Sequence, residues 1–335
     1  MKIHRFDAQG QLRLAEAPLP QPGPGEVRLK VEALSLNYRD LLIEDAARAG
    51  QLPGRVPVSD ATGAVDALGE GVSGWQIGQK AAAAFFRDWV DGRFRLDYLA
   101  SSWGGQFLDG MLTEYIVAPA AALVAAPTHL SSEEAAALPC AGVTAWHGLV
   151  ARGGLQAGDT LLIHGTGGVA LFGLQIASAL GARTIVLSSS DAKLARAKAL
   201  GASDGINYRA VPDWDKAVRE LTGGEGVSHV LELGGPGTYQ RSLDALAAGG
   251  TLVQIGVLSG FGPQPNLGRL QTLNADIAGV MVGSARHLAE LGGFLAEHGL
   301  HPVIDRVFDF DDAPAAYAYL RAAGHFGKVA LRVGG

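Results

Sequence analysis

The stretch from Asp159 to Leu180 constrains this chain more than any other. An apolar run, Leu161–Ile163, leads into Gly165-Thr166-Gly167-Gly168-Val169-Ala170, after which Val169, Phe172, Ile176 and Leu180 recur at helical spacing. A short run that is apolar throughout suits a strand buried on both faces of a parallel sheet. The glycines match G-x-G-x-x-G/A, and the order strand, turn, helix supplies the context that pattern requires. Gly165 permits the tight turn, Gly167 leaves room for a pyrophosphate to approach the backbone, and Ala170 is small enough for the helix to lie on the strand. The first N–H groups of that helix and its positive dipole end attract an anion. Gly165, Thr166, Gly167, Gly168 and Val169 are therefore the expected cradle of a dinucleotide. A glycine turn in an unliganded α/β fold is the other reading.

At 335 residues, 48% of them hydrophobic, the chain can bury two cores. A net charge of −6 and the lack of any basic run argue against a nucleic-acid partner. There is no apolar stretch long enough to span a membrane, and Met1–Asp7 lacks the apolar core of a signal peptide. The single cysteine, Cys140, rules out an internal disulfide and a thiolate zinc cluster, and it fits a reducing cytoplasm. Set in an apolar stretch, it reads as a packed, inert thiol.

Residues 1 to about 125 read as mostly β, with in–out alternation in runs such as Glu26–Glu32 and Gly/Pro punctuation at 18–25, 52–54 and 69–71. Asn37–Ile43 is expected to start a short helix. From Leu130 the period changes. Ser131-Ser-Glu-Glu134 signals a helix cap, and after Asp159 strands alternate with helices: strands at 184–188, 205–208, 227–233, 250–256 and 276–282, helices at 190–200, 214–221 and 239–248. That alternation predicts a doubly wound parallel sheet. Strands at 305–310 and 328–333 flank a helix at 312–322 and return to the character of the first part, which this tail is expected to complete.

With these motifs assembled, the chain resembles the medium-chain dehydrogenase/reductases, in their zinc-free quinone-oxidoreductase branch. The motifs are Leu36-Asn37-Tyr38-Arg39-Asp40, Gly142-Val-Thr-Ala-Trp146, Gly165–Val169, Ala202–Tyr208 and Gly327-Lys328-Val329. The resemblance implies an α/β protein with a GroES-like, mostly-β catalytic domain at 1–125 and 285–335, and a Rossmann domain inserted at 126–284. It further implies a nicotinamide cofactor in the cleft between them and a homodimer through the last Rossmann strand.

An NAD site usually keeps an acid on the ribose about 20 residues past the glycines. Here that strand ends in Ser188-Ser189-Ser190, with no carboxylate before Asp191. Hydroxyls can donate to the 2′-phosphate of NADPH, which a carboxylate would repel. The resemblance assigns contact with that phosphate to Lys193 and Tyr208; Lys193 also reads as a solvated charge, with Ser190 and Asp191 capping their helix. NADPH is the expected cofactor. The resemblance places Thr144 near the nicotinamide, though a hydroxyl bonded to its own helical turn is an equal reading. Gly256, Val257 and Leu258 follow one strand and Val282 another, at the carboxyl ends where ligands of open α/β sheets lie. Lys328 is expected to close the cleft on the cofactor, or to be a plain turn residue.

Zinc-holding members of the superfamily use a cysteine that aligns with Asn37 and a His-Glu pair that aligns with Ser59-Asp60. An amide and a hydroxyl are poor zinc ligands, so no metal is expected. His298 and His301 share a helical spacing, but Pro302 marks a helix end. Without a Lewis acid, reduction of an electron-poor acceptor is the least demanding chemistry: hydride arrives from the cofactor, and donors steady the developing anion. Asn37 and Tyr38 are the candidate catalytic contacts, with Tyr38 as a packed aromatic the alternative. Asp40 is expected to brace the local helix. The aromatics from Phe85 to Trp103 suit either a wall for a flat substrate or packing beneath a loop. The expected function is NADPH-dependent reduction of quinones or α,β-unsaturated carbonyls. A zinc-free NADP-dependent alcohol dehydrogenase and a non-catalytic NADPH-binding protein are the alternatives.

Overall fold

The computed structural model describes residues 1–260, 262 and 266–334. In chain order the first strands are β1 (Lys2–Phe6), β2 (Leu12–Glu16), β3 (Glu26–Leu36), β4 (Asp60–Leu68), β5 (Lys80–Ala83), β6 (Tyr115–Pro119) and β7 (Leu123–Ala125). Then come β8 (Thr160–His164), β9 (Arg183–Ser188), β10 (Asp204–Asn207), β11 (Val227–Glu232), β12 (Leu246–Gln254) and β13 (Asp276–Gly279), and finally β14 (Ile304–Asp309) and β15 (Lys328–Arg332). The chain divides into two compact units, Met1–Val143 with Val282–Gly335, and Thr144–Met281.

The first unit is built on β3. Its length lets it pair antiparallel with β4 on one side and with both β6 and β15 on the other, the first half taking β6 and the last four residues β15. Val27, Leu29, Val31, Leu34 and Leu36 of β3 are buried in one core with Val65, Ile116 and Leu331. The carboxyl-terminal tail thus supplies β15 beside β3, and β14 adds to it in parallel. The first boundary lies at 143/144 rather than 125/126, and the second at 281/282 rather than 284/285. Residues 126–143 belong with the first unit because the helix Ser132–Ala136 packs on β3 and β4. There Ser132 donates to Glu32, and Glu133 pairs with Arg332. Ser131 caps this helix in a reciprocal box with Glu134.

The second unit is one parallel sheet in the order β10-β9-β8-β11-β12-β13. Strand order reverses between β8 and β11, which is where open α/β sheets form a crevice at their carboxyl ends. Leu161, Leu162 and Ile163 are wholly buried, as a strand covered on both faces requires. The helix Gly168–Ala179 follows the glycine turn. A Cβ on Gly173 would stand 2.6 Å from Leu231 Cδ2, so this glycine, as well as buried Ala170, lets the helix close on the sheet. The helix expected at 239–248 ends at Ala245, where β12 begins at Leu246. The helix Ala285–His298 stops at left-handed Gly299, ahead of His301 and Pro302. Among the described residues no helix is long and apolar enough to cross a membrane.

Gly173→Val would force two methyls into the contact with Leu231. We expect a loss of stability of about 1–3 kcal/mol, read as a lower midpoint in urea unfolding; an unchanged midpoint would contradict this packing.

Candidate active site

In the second unit, Gly165 has φ +78°, a left-handed turn that favours glycine, and its amide donates to Leu187 O at 2.8 Å. Gly167 is different. Its backbone is extended (φ −81°), and a Cβ there would meet nothing within 4 Å. The protein's own packing therefore does not require glycine at 167, whereas a phosphate lying on the turn does. The helix behind it leaves its first N–H groups without intrahelical partners, and Gly168 and Val169 are half-buried at that end. Thr166 is buried. These residues fit a dinucleotide pyrophosphate.

The structure brings most of the expected ribose-phosphate residues together. Asn207 of β10 lies in register with Ser188 of β9, and the Tyr208 amide donates to Ser188 O at 3.1 Å. Tyr208 is thereby held, exposed, beside the end of β9. Ser190 caps the helix Asp191–Ala199 by accepting from the Lys193 amide, which places Lys193 in the first turn next to Ser188 and Ser189. The nearby carboxylate of Asp191 accepts from Asn207 Nδ2 at 2.9 Å and is turned to that neighbour.

Thr144 is buried at the start of this unit. After β12, Gly256 is glycine for a backbone reason: a Cβ would meet Leu233 O at 2.0 Å. Val257 is half-buried and Leu258 exposed. Val282, first residue of the returning segment, is a buried β-branched residue at φ +48°, a conformation that costs about 1–3 kcal/mol.

In the first unit, the helix Tyr38–Arg48 starts after Asn37, whose backbone amide donates to Asp40 Oδ2 at 2.8 Å. Asp40 braces this helix. The Asn37 side chain is fully committed: Nδ2 donates to Asp60 Oδ2 at 3.0 Å, and Oδ1 accepts from Lys328 Nζ. Lys328 Nζ also donates to Leu36 O at 2.6 Å. Lys328, expected at the cofactor, is 3% exposed and turned into its own unit. Asp60, wholly buried, further accepts from Ser59 Oγ at 2.7 Å and the Cys140 amide at 3.3 Å. Val58, just before it, sits at φ +75°, a second strained β-branched residue. Tyr38 differs from Asn37. It is 44% exposed and its hydroxyl has no hydrogen bond among the described residues.

Two carboxylates and two cations share this interior. Burial raises Asp40 to about 6, against the pull of Arg39 at 3.2 Å. Burial raises Asp60 and lowers Lys328, each opposed by the other's charge. Burial also raises the Cys140 thiol, consistent with an inert packed side chain. Asn37, Ser59 and Asp60, expected from the resemblance at the metal-ligand positions of zinc-holding members, have their polar atoms bonded to one another and to an ammonium. Among the described residues no group of His, Cys, Asp and Glu could hold a metal ion. The donor set does not fit zinc.

The aromatics of 85–103 pack beneath their loop. Phe85, Phe86, Trp89 and Trp103 are buried, and Trp89 stacks on Tyr98 at 5.9 Å.

Residues 23–128 match the alcohol dehydrogenase GroES-like domain, and residues 168–298 match the zinc-binding dehydrogenase family. A zinc-type alcohol dehydrogenase-like protein of Schizosaccharomyces pombe is 42% identical over 99% of this chain and 97% of its own length. A solved NAD-dependent alcohol dehydrogenase is 34% identical, with a TM-score of 0.90 and 100% of both chains covered. The 2-octenoyl-CoA carboxylase reductase CinF, solved with NADP and 2-octenoyl-CoA, is 26% identical at a TM-score of 0.87, covering 99% of this chain and 87% of its own. This chain belongs to the medium-chain dehydrogenase/reductase superfamily and is an oxidoreductase of that class.

The folded chain holds the Asp40 proton more tightly than an unfolded one, because the pKa rises from 3.8 to about 6. This contribution to stability is full below about pH 4 and is lost as pH rises through about 6. We expect the stability of the wild type, relative to Asp40→Asn, to fall by about 3 kcal/mol between those limits in urea unfolding. A difference that grows with pH would refute the assignment.

Proposed function

We propose that this chain is an NADPH-dependent reductase that delivers hydride to quinones or α,β-unsaturated carbonyls without a bound metal. The observation that carries the reading is the end of β9. Ser188 and Ser189 stand where an NAD site keeps an acid, Asp191 is engaged by Asn207, and Tyr208 is held alongside. Their hydroxyls and the Lys193 ammonium can donate to a 2′-phosphate. When bound, the reduced dinucleotide supplies the hydride. Tyr38 offers an exposed hydroxyl to the acceptor oxygen, where a donor stabilises developing negative charge. Asn37 positions that turn, since its amide is spent on Asp60, and Lys328 acts through Asn37. Thr144, Gly256, Val257, Leu258 and Val282 are the further proposed cofactor contacts. β13, at the edge of the described sheet, is the proposed seam of a homodimer, and the cytoplasm the proposed compartment.

The reductase solved with NADP and an unsaturated thioester supports both cofactor and acceptor class. The names of the zinc-type alcohol dehydrogenase-like relative and the NAD-dependent alcohol dehydrogenase favour alcohol oxidation as a second reading, which this chain's own donor set and serines would make zinc-free and NADP-dependent. An assay separates the two. NADPH oxidation with a panel of quinones, enones and unsaturated thioesters is compared with NADP reduction by alcohols, before and after chelation. We expect acceptor-dependent NADPH loss that survives chelation; turnover with alcohols only would overturn the proposal. Ser189→Asp should raise the KM for NADPH by about tenfold or more while leaving that for NADH far less changed, through repulsion of the extra phosphate. Equal effects on both would contradict the cofactor assignment.

A further inference from the structure

Glu232 is the last residue of β11 and is wholly buried, in a strand that otherwise alternates only Val, Ser, His and Leu. A buried carboxylate is tolerated only when fully bonded. Here Oε1 accepts from the amides of Gly234 at 2.8 Å and Gly235 at 3.0 Å and from Thr238 Oγ1 at 2.6 Å. Oε2 accepts from Ser242 Oγ, which also meets His164 Nε2 at 3.2 Å. His164 Nδ1 lies 3.4 Å from Oε1, and the ring packs edge-on against Trp214. His164 is the residue immediately before Gly165, at the end of β8.

The carboxylate therefore joins the ends of the two strands between which the sheet order reverses. The linkage continues. The loop that Glu232 folds, Gly234–Gly237, is clasped by Ser259, whose Oγ accepts from the Gly237 amide at 2.9 Å and donates to Gly234 O at 2.7 Å. A Cβ on Gly235 would stand 3.1 Å from Val257 Cα, so the loop after β12 lies directly against the loop after β11. The loops that follow β8, β11 and β12 are in this way tied to one anionic hub.

We infer that Glu232 is a positioning residue for dinucleotide binding, holding the glycine turn and the loop carrying Val257 at the separation the cofactor needs. The inference rests on the dinucleotide reading of the second unit. It assigns Glu232 no contact with the cofactor. Its influence passes through the Gly234–Gly237 loop and Ser259 on one side and through Ser242 and His164 on the other. A flexible hub would leave the amides of the turn in place only part of the time and reduce affinity by that fraction.

The test is a fluorescence titration of the full chain with NADPH and with NADH, alongside steady-state kinetics and a circular dichroism melt. Wild type that binds neither nucleotide would sink the underlying dinucleotide reading, whatever the variants do. If wild type binds, Glu232→Gln should weaken binding of both nucleotides by about tenfold, well below its own melting temperature. The effect should appear in KM for the cofactor, with kcat changed much less. A purely structural Glu232 would lower the melting temperature and leave the dissociation constant at low temperature as it was, and that result overturns the inference. Should Glu232→Gln fail to fold, Thr238→Val and Ser259→Ala decide. Thr238→Val removes one donor to Oε1 and Ser259→Ala removes the clasp on the Gly234–Gly237 loop, while the Gly234 and Gly235 amides and Ser242 still hold the carboxylate; weaker binding in either supports the hub, and unchanged binding in both overturns it.

Discussion

The parallel pairing of β8 with β11 is the constraint on which the second unit depends. His229, Val230 and Leu231 lie in register with Leu161, Leu162 and Ile163, and the Val230, Leu231 and β8 side chains named are wholly buried. Parallel neighbours cannot be joined by a tight turn, so helices must cover the sheet and the strands must be apolar on both faces. From this one seam, β9 and β10 grow outward on one side and β12 and β13 on the other. The glycine turn leaves β8 and the Glu232 loop leaves β11 at the carboxyl ends of these neighbouring strands, where the order reverses.

Both units bury carboxylates, and each satisfies them differently. In the first, Asp40 and Asp60 face Arg39 and Lys328, and the charges roughly cancel. In the second, Glu232 is held by amides and hydroxyls, and burial lowers the pKa of His164 against the pull of Glu232. Removing one partner from either set would leave a charge stranded, which is far more damaging than the net worth of the pair. The internal ammonium of Lys328 is held by Leu36 O and Asn37 Oδ1 and faces the buried Asp60.

Much of the fold was legible in the sequence. The alternation of strands and helices after Asp159, the cap at Ser131 and the helix end ahead of Pro302 all follow from local periodicity and local hydrogen bonds, and the structure has them. The glycine turn was legible too, although Gly173, which sets the helix against Leu231, carried no local mark. Glu232 carries a signal too: an acid at the end of a buried strand must be either exposed or heavily bonded. Residues 126–143 are helical in character yet pack on the β-rich unit through Ser132 and Glu133, contacts that no local pattern encodes.

By itself the sequence determined the elements, their order and the chemistry available at the turn, because these depend on residues a few positions apart. Only tertiary structure decided which side chains are spent and which are free to act. Lys328 reaches Asn37 across 291 positions, and Ser242 reaches His164 across 78. Such contacts depend on which strands become neighbours in a sheet, and a one-dimensional pattern holds no distance between them.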